Sequence, residues 1–268
     1  MPGANGNAAG MIRLFHISDL HFGREDTRAL DWVVQAVHDE APDGVIITGD
    51  FTMRARAREF AAAARWIAAL PVPVRIDPGN HDLPYFNPAE RMIDPYRRFR
   101  ALESAIARPL MLGGQATDEL AIVRLPTTAA AQWRLNWSKG IAGAAALARA
   151  LAEIDSLPPG MPAIVTCHHP LVEAGTQGRA LTRGGNRALA ELARRPVLAV
   201  LSGHVHDAFD LCHTTAAGPV RMIGAGTLSQ RLRTTPPTFN DLTFADGVLS
   251  CRVRRLDGVP AEALGRYR

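Results

Sequence analysis

Short apolar runs separated by polar, turn-rich stretches recur along the chain, and their spacing predicts alternating strands and helices. Residues 12–17, 45–47, 72–76, 163–166 and 197–201 are apolar or β-branched and too short for helices, so they predict buried strands. Between them, 28–38, 54–70, 142–154 and 186–193 predict helices, with Thr27 as N-cap of the first. In 54–70 the apolar side carries Phe60, Ala64, Ile67 and Ala68 at helical spacing. Residues 110–112 and 120–125 read as strands joined through Gly113-Gly114, and Trp133 and Trp137 flank a polar loop that ends at Gly140. From 208 onward strand follows strand, over 208–212, 220–223, 238–244 and 248–253. Residues 84–108 break the rhythm. Pro84, Pro88 and Pro95 punctuate a stretch holding Tyr85, Phe86, Tyr96 and Phe99, which predicts a helical arm. Its aromatic residues either border a site or fasten the arm to the body.

Strand–helix alternation followed by consecutive strands predicts an α/β (α+β) fold, a four-layer αββα sandwich of two mixed β-sheets flanked by helices. No linker divides the chain, so one domain is expected over 11–256, after a disordered leader (1–10) and before a loose tail (257–268). The leader lacks the cationic start and apolar core of a signal peptide, and Met11 is an alternative start.

Composition narrows the function classes. The formal charge of +4 over 268 residues is mild, and arginines are scattered along predicted helices, which argues against a nucleic-acid stripe. A mildly positive surface still favours an anionic substrate. No apolar stretch is long enough for a bilayer span. The three cysteines, Cys167, Cys212 and Cys251, form no CxxC pair, and their odd number points to a reducing, cytoplasmic setting. Cys167 reads as a small core residue.

The chemistry collects at strand ends. After 12–17 comes Asp19-Leu20-His21, after 45–47 Gly49-Asp50, and after 72–76 Pro78-Gly79-Asn80-His81-Asp82. After 163–166 comes His168-His169, and after 197–201 Gly203-His204-Val205-His206. Open α/β sheets place ligands at such ends. Asp19, His21, Asp50, Asn80, His81, His168, His204 and His206 offer oxygen and nitrogen donors without a thiolate, which suits Zn, Mn or Fe. The set is too large for one ion and fits two, about 3.5–4 Å apart with a shared carboxylate and a bridging hydroxide as nucleophile. Two divalent ions, Asp19, Asp50 and that hydroxide leave about +1, which a phosphodiester monoanion neutralises. His16 and His38 read as structural, His213 as the end of a strand. His169 is open between a packing role and substrate contact, because strand alternation turns it away from His168.

Together, Asp19-x-His21, Gly49-Asp50, Gly79-Asn80-His81-Asp82, His168 and Gly203-His204-x-His206 resemble the calcineurin-like metallophosphoesterase family. The resemblance implies a β-sandwich flanked by helices and two metal ions, Mn or Fe with Zn as the alternative. It implies that Asp19, His21 and His206 bind the first ion, that Asn80, His168 and His204 bind the second, and that Asp50 bridges them. His81 would contact the phosphate and protonate the leaving oxygen, and Asp82 would orient His81. Within the family, residues 17–21 with 78–82 are most similar to the class III cyclic-nucleotide phosphodiesterase branch. That resemblance implies hydrolysis of small phosphodiesters, 3′,5′-cyclic nucleotides among them. A phosphomonoesterase, or a nucleotide or lipid pyrophosphate hydrolase, on the same site is the alternative. A non-catalytic scaffold is disfavoured by the complete donor set. Gly226-Thr227-Leu228 and Arg231 are candidates to line the pocket. No membrane or nucleic-acid partner is expected, and dimerisation through the arm stays open.

Overall fold

Strands buried on both faces have only neighbouring strands to satisfy their backbone groups, so the short apolar runs gather into sheets. The computed structural model describes residues 11–110, 120–130 and 138–257. In the first sheet β1 (Ile12–Ile17), β2 (Gly44–Ile47) and β3 (Val74–Ile76) are parallel, and the hairpin of β9 (Thr238–Ala245) and β10 (Val248–Arg255) adds antiparallel to β1. The second contains β4 (Ala121–Arg124), β5 (Ala163–Thr166), β6 (Val197–Ser202), β7 (Phe209–Thr215) and β8 (Gly218–Gly224). The orders are β10-β9-β1-β2-β3 and β4-β5-β6-β8-β7, both mixed.

Alternation along β1 shows how the layers form. Leu14 joins Ile46, Ile122, Ile164, Leu201, Ile223 and Leu242 between the two sheets. Phe15 and Ile17 point the other way, toward α1 (Thr27–Glu40), α2 (Ala57–Ala68) and α4 (Arg97–Ser104), where Val33, Phe60, Ile67 and Leu102 meet them. On the far side α5 (Ala144–Asp155) and α6 (Gly185–Leu192) bury Leu147, Ile154, Leu189 and Leu192 against Val123, Val165 and Val200. The result is the αββα sandwich expected from the pattern.

Several boundaries differ from expectation. The first helix is capped by Asp26, whose carboxylate accepts from Arg28 N and Ala29 N at 3.0 and 3.2 Å, so Thr27 is its first helical residue. The second helix is shorter than 54–70, because the chain first makes a turn in which Ala55 takes a left-handed φ of 52°. His213 lies within β7, whose pairing with β8 extends to Thr215. The 1–10 leader, the Gly113-Gly114 connection, Trp133, Trp137 and all of the tail beyond Asp257 lie outside the described residues. Among the described residues no helix is long and apolar enough to cross a membrane.

The first sheet is tied at its edge by charge. Asp241 on β9 accepts from Arg13 Nε and Nη2 at 2.9 and 2.7 Å and from Arg252 at 2.8 Å. Although burial opposes its ionisation, these guanidinium groups hold the carboxyl below its ordinary range. The stability this contributes is complete above the unfolded carboxyl pKa, about 3.9, and is lost as pH falls through the lower folded value. Asp241→Asn is therefore expected to cost about 2 kcal/mol at pH 7 and progressively less below pH 4, read by urea unfolding across that range. An equal cost at pH 7 and pH 2 would refute the assignment.

The arm contains α3 (Pro88–Ile93) and α4. Buried Arg91 anchors it, donating to Pro84 O (3.2 Å) and to Ala130 O (2.6 Å), and Tyr96 Oη donates to Thr128 O at 3.0 Å. Phe99 packs inward near Phe51, whereas Tyr85 and Phe86 are 74% and 64% exposed. Phe99 and Tyr96 thus fasten the arm to the body, while Tyr85 and Phe86 do not pack into it.

Candidate metal centre

Five loops at the C-terminal ends of β1, β2, β3, β5 and β6 converge, three from one sheet and two from the other. Backbone bonds stitch them together. Asp19 N donates to Gly49 O (3.0 Å), His21 N to Asp50 O (2.9 Å) and Gly203 N to His168 O (2.9 Å). The stitching forces unusual backbone angles. Asp19, His21, Asp50, His204 and His206 have φ of 57°, 47°, 56°, 71° and 64°, a left-handed region that non-glycine residues rarely occupy. Strain gathered on five of the expected metal ligands marks this as a site the rest of the fold over-determines.

The donor atoms sit edge to edge. Asp19 Oδ1 is 3.1 Å from His206 Nε2 and 3.6 Å from His21 Nε2. His21 Nε2 lies 3.1 Å from His206 Nε2 and 3.7 Å from Asp50 Oδ2. On the other side Asp50 Oδ2 is 3.4 Å from His168 Nε2, which is 3.2 Å from Asn80 Oδ1. His204 stacks its ring edgewise on His168 at 5.2 Å between centroids, and its backbone N–H donates to Asp19 Oδ2 (2.8 Å). Asp50 is thus flanked by both groups.

Three observations show that these residues fit cations. The spacings approach the edges of a coordination shell with bonds near 2.1 Å, roughly 3.0–3.4 Å. Asp19 Oδ1 is fully buried and accepts no hydrogen bond, although His206 Nε2 is close by. An acceptor left so is costly unless a cation satisfies it. Finally, the imidazoles are pre-aimed. Nδ1 of His168, His206 and His81 lies 2.7, 2.6 and 2.8 Å from the carbonyls of Thr48, Arg231 and Met53. His21 Nδ1 faces Thr52 O at 3.4 Å. With the proton on Nδ1, each Nε2 lone pair faces the centre.

The electrostatics agree. Burial lowers His21 to about 4 and His204 to about 3, so both stay neutral as ligation requires. Burial also acts against charge on His168 and His206, yet Asp50 raises the first to about 9, and Asp19 raises the second. Burial would raise both carboxyls. His206 and His21 hold Asp19, and His168 and His81 hold Asp50, well below the usual carboxylate range instead. Two buried carboxylates therefore demand positive charge at these two points.

One expectation needs correction, and one open alternative is decided. Asp82 does not orient His81, because Met53 O occupies His81 Nδ1. Its oxygens instead accept from Thr52 N (2.9 Å), Thr52 Oγ1 (3.1 Å) and Gly79 N (2.8 Å), bracing the loop that carries Asn80 and His81. Burial, and then Asp50, push the Asp82 carboxyl up to about 7. His169 does not face the centre with a free nitrogen. Thr127 Oγ1 meets Nδ1 at 3.0 Å and Ser138 O accepts from Nε2 at 2.9 Å, so the ring supports His204 from behind, 4.4 Å between centroids. His16 is structural as expected, buried between Thr48 and Asn240.

Arg231 is more central than its sequence context indicates. Its Nη1 lies 3.2 Å from His21 Nε2 and 3.1 Å from His81 Nε2. Thr227 Oγ1 donates to Asp19 O (2.8 Å), so the segment after β8 steadies the first loop as well as presenting the guanidinium. Only the isolated Thr-Leu-Ser-Gln-Arg run after an apolar strand hints at this.

Comparison with known proteins places the chain in a family and shows the same fold elsewhere. A sequence profile of the calcineurin-like phosphoesterase family matches residues 12–208. No curated protein matches the sequence. Among solved structures, a dimetal phosphatase from Danio rerio superposes with a TM-score of 0.63 at 14% identity, over 90% of this chain and 98% of that one. A purple acid phosphatase from yellow lupin (Lupinus luteus) seeds gives 0.64 at 13% identity, over 94% and 52% respectively. GAP50, the anchor in the inner membrane complex of Plasmodium, gives 0.64 at 11% identity, over 94% and 87%. At such identities the likeness concerns the fold alone.

Proposed function

The chain belongs to the calcineurin-like phosphoesterase family, and from that premise we propose that it hydrolyses small phosphodiesters, 3′,5′-cyclic nucleotides of the class III type among them. The observation that carries this reading is Asp50, a buried carboxylate flanked by His21 on one side and His168 on the other. Asp19, His21 and His206 would hold one divalent ion, Asn80, His168 and His204 a second, and Asp50 both; Mn or Fe suits the mixed donors, with Zn as the alternative. When bound, such a pair supplies Lewis-acid polarisation of a phosphoryl oxygen and a water of lowered pKa.

The remaining work falls to the protein. Arg231 Nη1 donates to a phosphoryl oxygen, its planar fork suiting an oxyanion. His81, with Nδ1–H bonded to Met53 O, would act as the imidazolium, giving its Nε2 proton to the leaving oxygen and becoming the neutral imidazole. The backbone N–H of His81 donates to Asp50 Oδ1 at 2.8 Å, locking the acid to the shared carboxylate. Asp82 holds that loop by its bonds to Thr52 and Gly79. We place the protein in the cytoplasm, in keeping with its three free cysteines.

Arg231 also favours a second reading. Its charge raises the site from about +1 to about +2, which suits a phosphomonoester dianion. The test loads metal-stripped protein with manganese and compares bis-p-nitrophenyl phosphate, p-nitrophenyl phosphate and 3′,5′-cyclic AMP. Faster cleavage of the diester supports the proposal, with cyclic AMP turnover assigning the cyclic-nucleotide type. Preference for the monoester overturns it in favour of a phosphatase. In the same assay His81→Asn is expected to lower kcat about a hundredfold while both ions stay bound, measured by elemental analysis. An unchanged kcat would show that His81 is not the acid.

A further inference from the structure

Tyr85 and Phe86 are large aromatic side chains left 74% and 64% exposed, their rings edge-on at 5.0 Å. Exposed paired aromatics on a rigid base are unusual unless something covers them. The base here is rigid. Arg91, buried beneath, holds Pro84 O, Glu90 on α3 binds Arg98 at 2.9 Å, and Arg98 also donates to Ala55 O. That last bond ties the arm to the loop after β2. The same loop supplies Met53 O, which aims His81, and Arg54, whose guanidinium stands 5.5 Å from the Phe86 ring centroid. The loop after β2 therefore links His81, through Met53 O, to Arg54 and the exposed Phe86 ring.

We propose that Tyr85, Phe86 and Arg54 form a subsite that stacks on a planar aromatic ring borne by the leaving group of the ester, a nucleobase being the matching chemistry. The inference rests on the reading of His81 as the group facing the leaving oxygen. In this proposal the leaving group that takes its proton from His81 carries its ring to the shelf that the Met53-Arg54 segment links to His81. Aromatic side chains hold bases by stacking, which tolerates any base because each has a π face. Arg54, already over Phe86, adds a cation for a ring or for a second phosphate.

The probes are two uncleavable phosphonates that share an anion and differ by a base: 9-[2-(phosphonomethoxy)ethyl]adenine and ethoxymethylphosphonate. Titration calorimetry on the manganese-loaded protein should show the adenine compound binding at least about tenfold tighter. Tyr85→Ala/Phe86→Ala should erase that preference while leaving ethoxymethylphosphonate affinity and ion content unchanged. Phe86→Leu, which keeps apolar area and removes the ring, should lose most of it. Equal affinities in the native protein, or a preference that survives the double substitution, would overturn the proposal. So would light scattering that finds a dimer lost in the double variant with base preference intact, since the pair would then be a subunit contact. Ester turnover measured in parallel separates the two readings. Turnover without base preference removes the subsite alone, and base preference without turnover of any ester removes the hydrolase reading and leaves the subsite.

Discussion

Asp50→Asn is expected to lower turnover about a thousandfold and to leave the protein folded with fewer than two ions bound. The magnitude follows from losing several kcal/mol of metal-borne stabilisation of the transition state. Asparagine is chosen on structural grounds. Residue 50 has φ of 56°, which asparagine tolerates and alanine does not, and it must still accept the His81 N–H bond. The amide keeps one acceptor oxygen and removes the charge that both groups share. Although burial opposes it, His168 and His81 hold the Asp50 carboxyl well below the usual range, so removing its charge also removes that pairing, and the metal-free variant should unfold at a somewhat lower temperature than metal-free native protein while still unfolding cooperatively. Elemental analysis, calorimetry and the diester assay read the three consequences. Full activity with two ions bound would exclude Asp50 as the shared ligand.

Gly79→Ala is expected to have the largest effect on the fold of the site. A Cβ at 79 would stand 2.1 Å from Asp50 Oδ1 and 2.2 Å from Asp50 N. The second is backbone and cannot rotate away. The β2 and β3 loops must separate, which breaks the His81 N–H bond to Asp50 and the Thr52 bonds to Asp82 and displaces Asp50 from its place beside His168. Overpacking of this kind costs about 3 kcal/mol or more. Both ions should be lost along with activity. Gly143→Ala is the control, since nothing lies within 4 Å of a Cβ there. It should change stability by under about 1 kcal/mol. A Gly79→Ala protein with native urea midpoint and native ion content would show that the loops do not depend on this approach.

Both predictions turn on residues that stand out in the linear chain. Asp19-x-His21, Gly49-Asp50 and Gly79-Asn80-His81 are conspicuous because each follows an apolar run that can only be a strand, and a strand must end in a polar turn. The sandwich is legible for the same reason, as periodicity changes from strand–helix alternation to consecutive strands near residue 208. The pairing of Asp82 with His81 is where local reading fails. Adjacency along the chain suggests that bond, but the tight turn over residues 80–82 bends the carboxylate back to Gly79 N and Thr52, and the imidazole takes a carbonyl from another strand end. The cap of α1 shifts by one residue because Asp26 competes better for the free N–H groups than Thr27.

By itself, the sequence determined which donor types stand at which strand ends, because that depends on a few neighbouring residues and the period of the run preceding them. Only the tertiary structure decided which nitrogen of each imidazole faces the centre. That choice is made by carbonyls of Thr48, Arg231 and Met53, from loops far away in the chain. It likewise decided that Arg231 reaches His21 and His81, and that Tyr85 and Phe86 stay uncovered while Phe99 is buried. These outcomes are set by sheet order and loop stitching, contacts between distant segments that leave no period in the sequence for local reading to find.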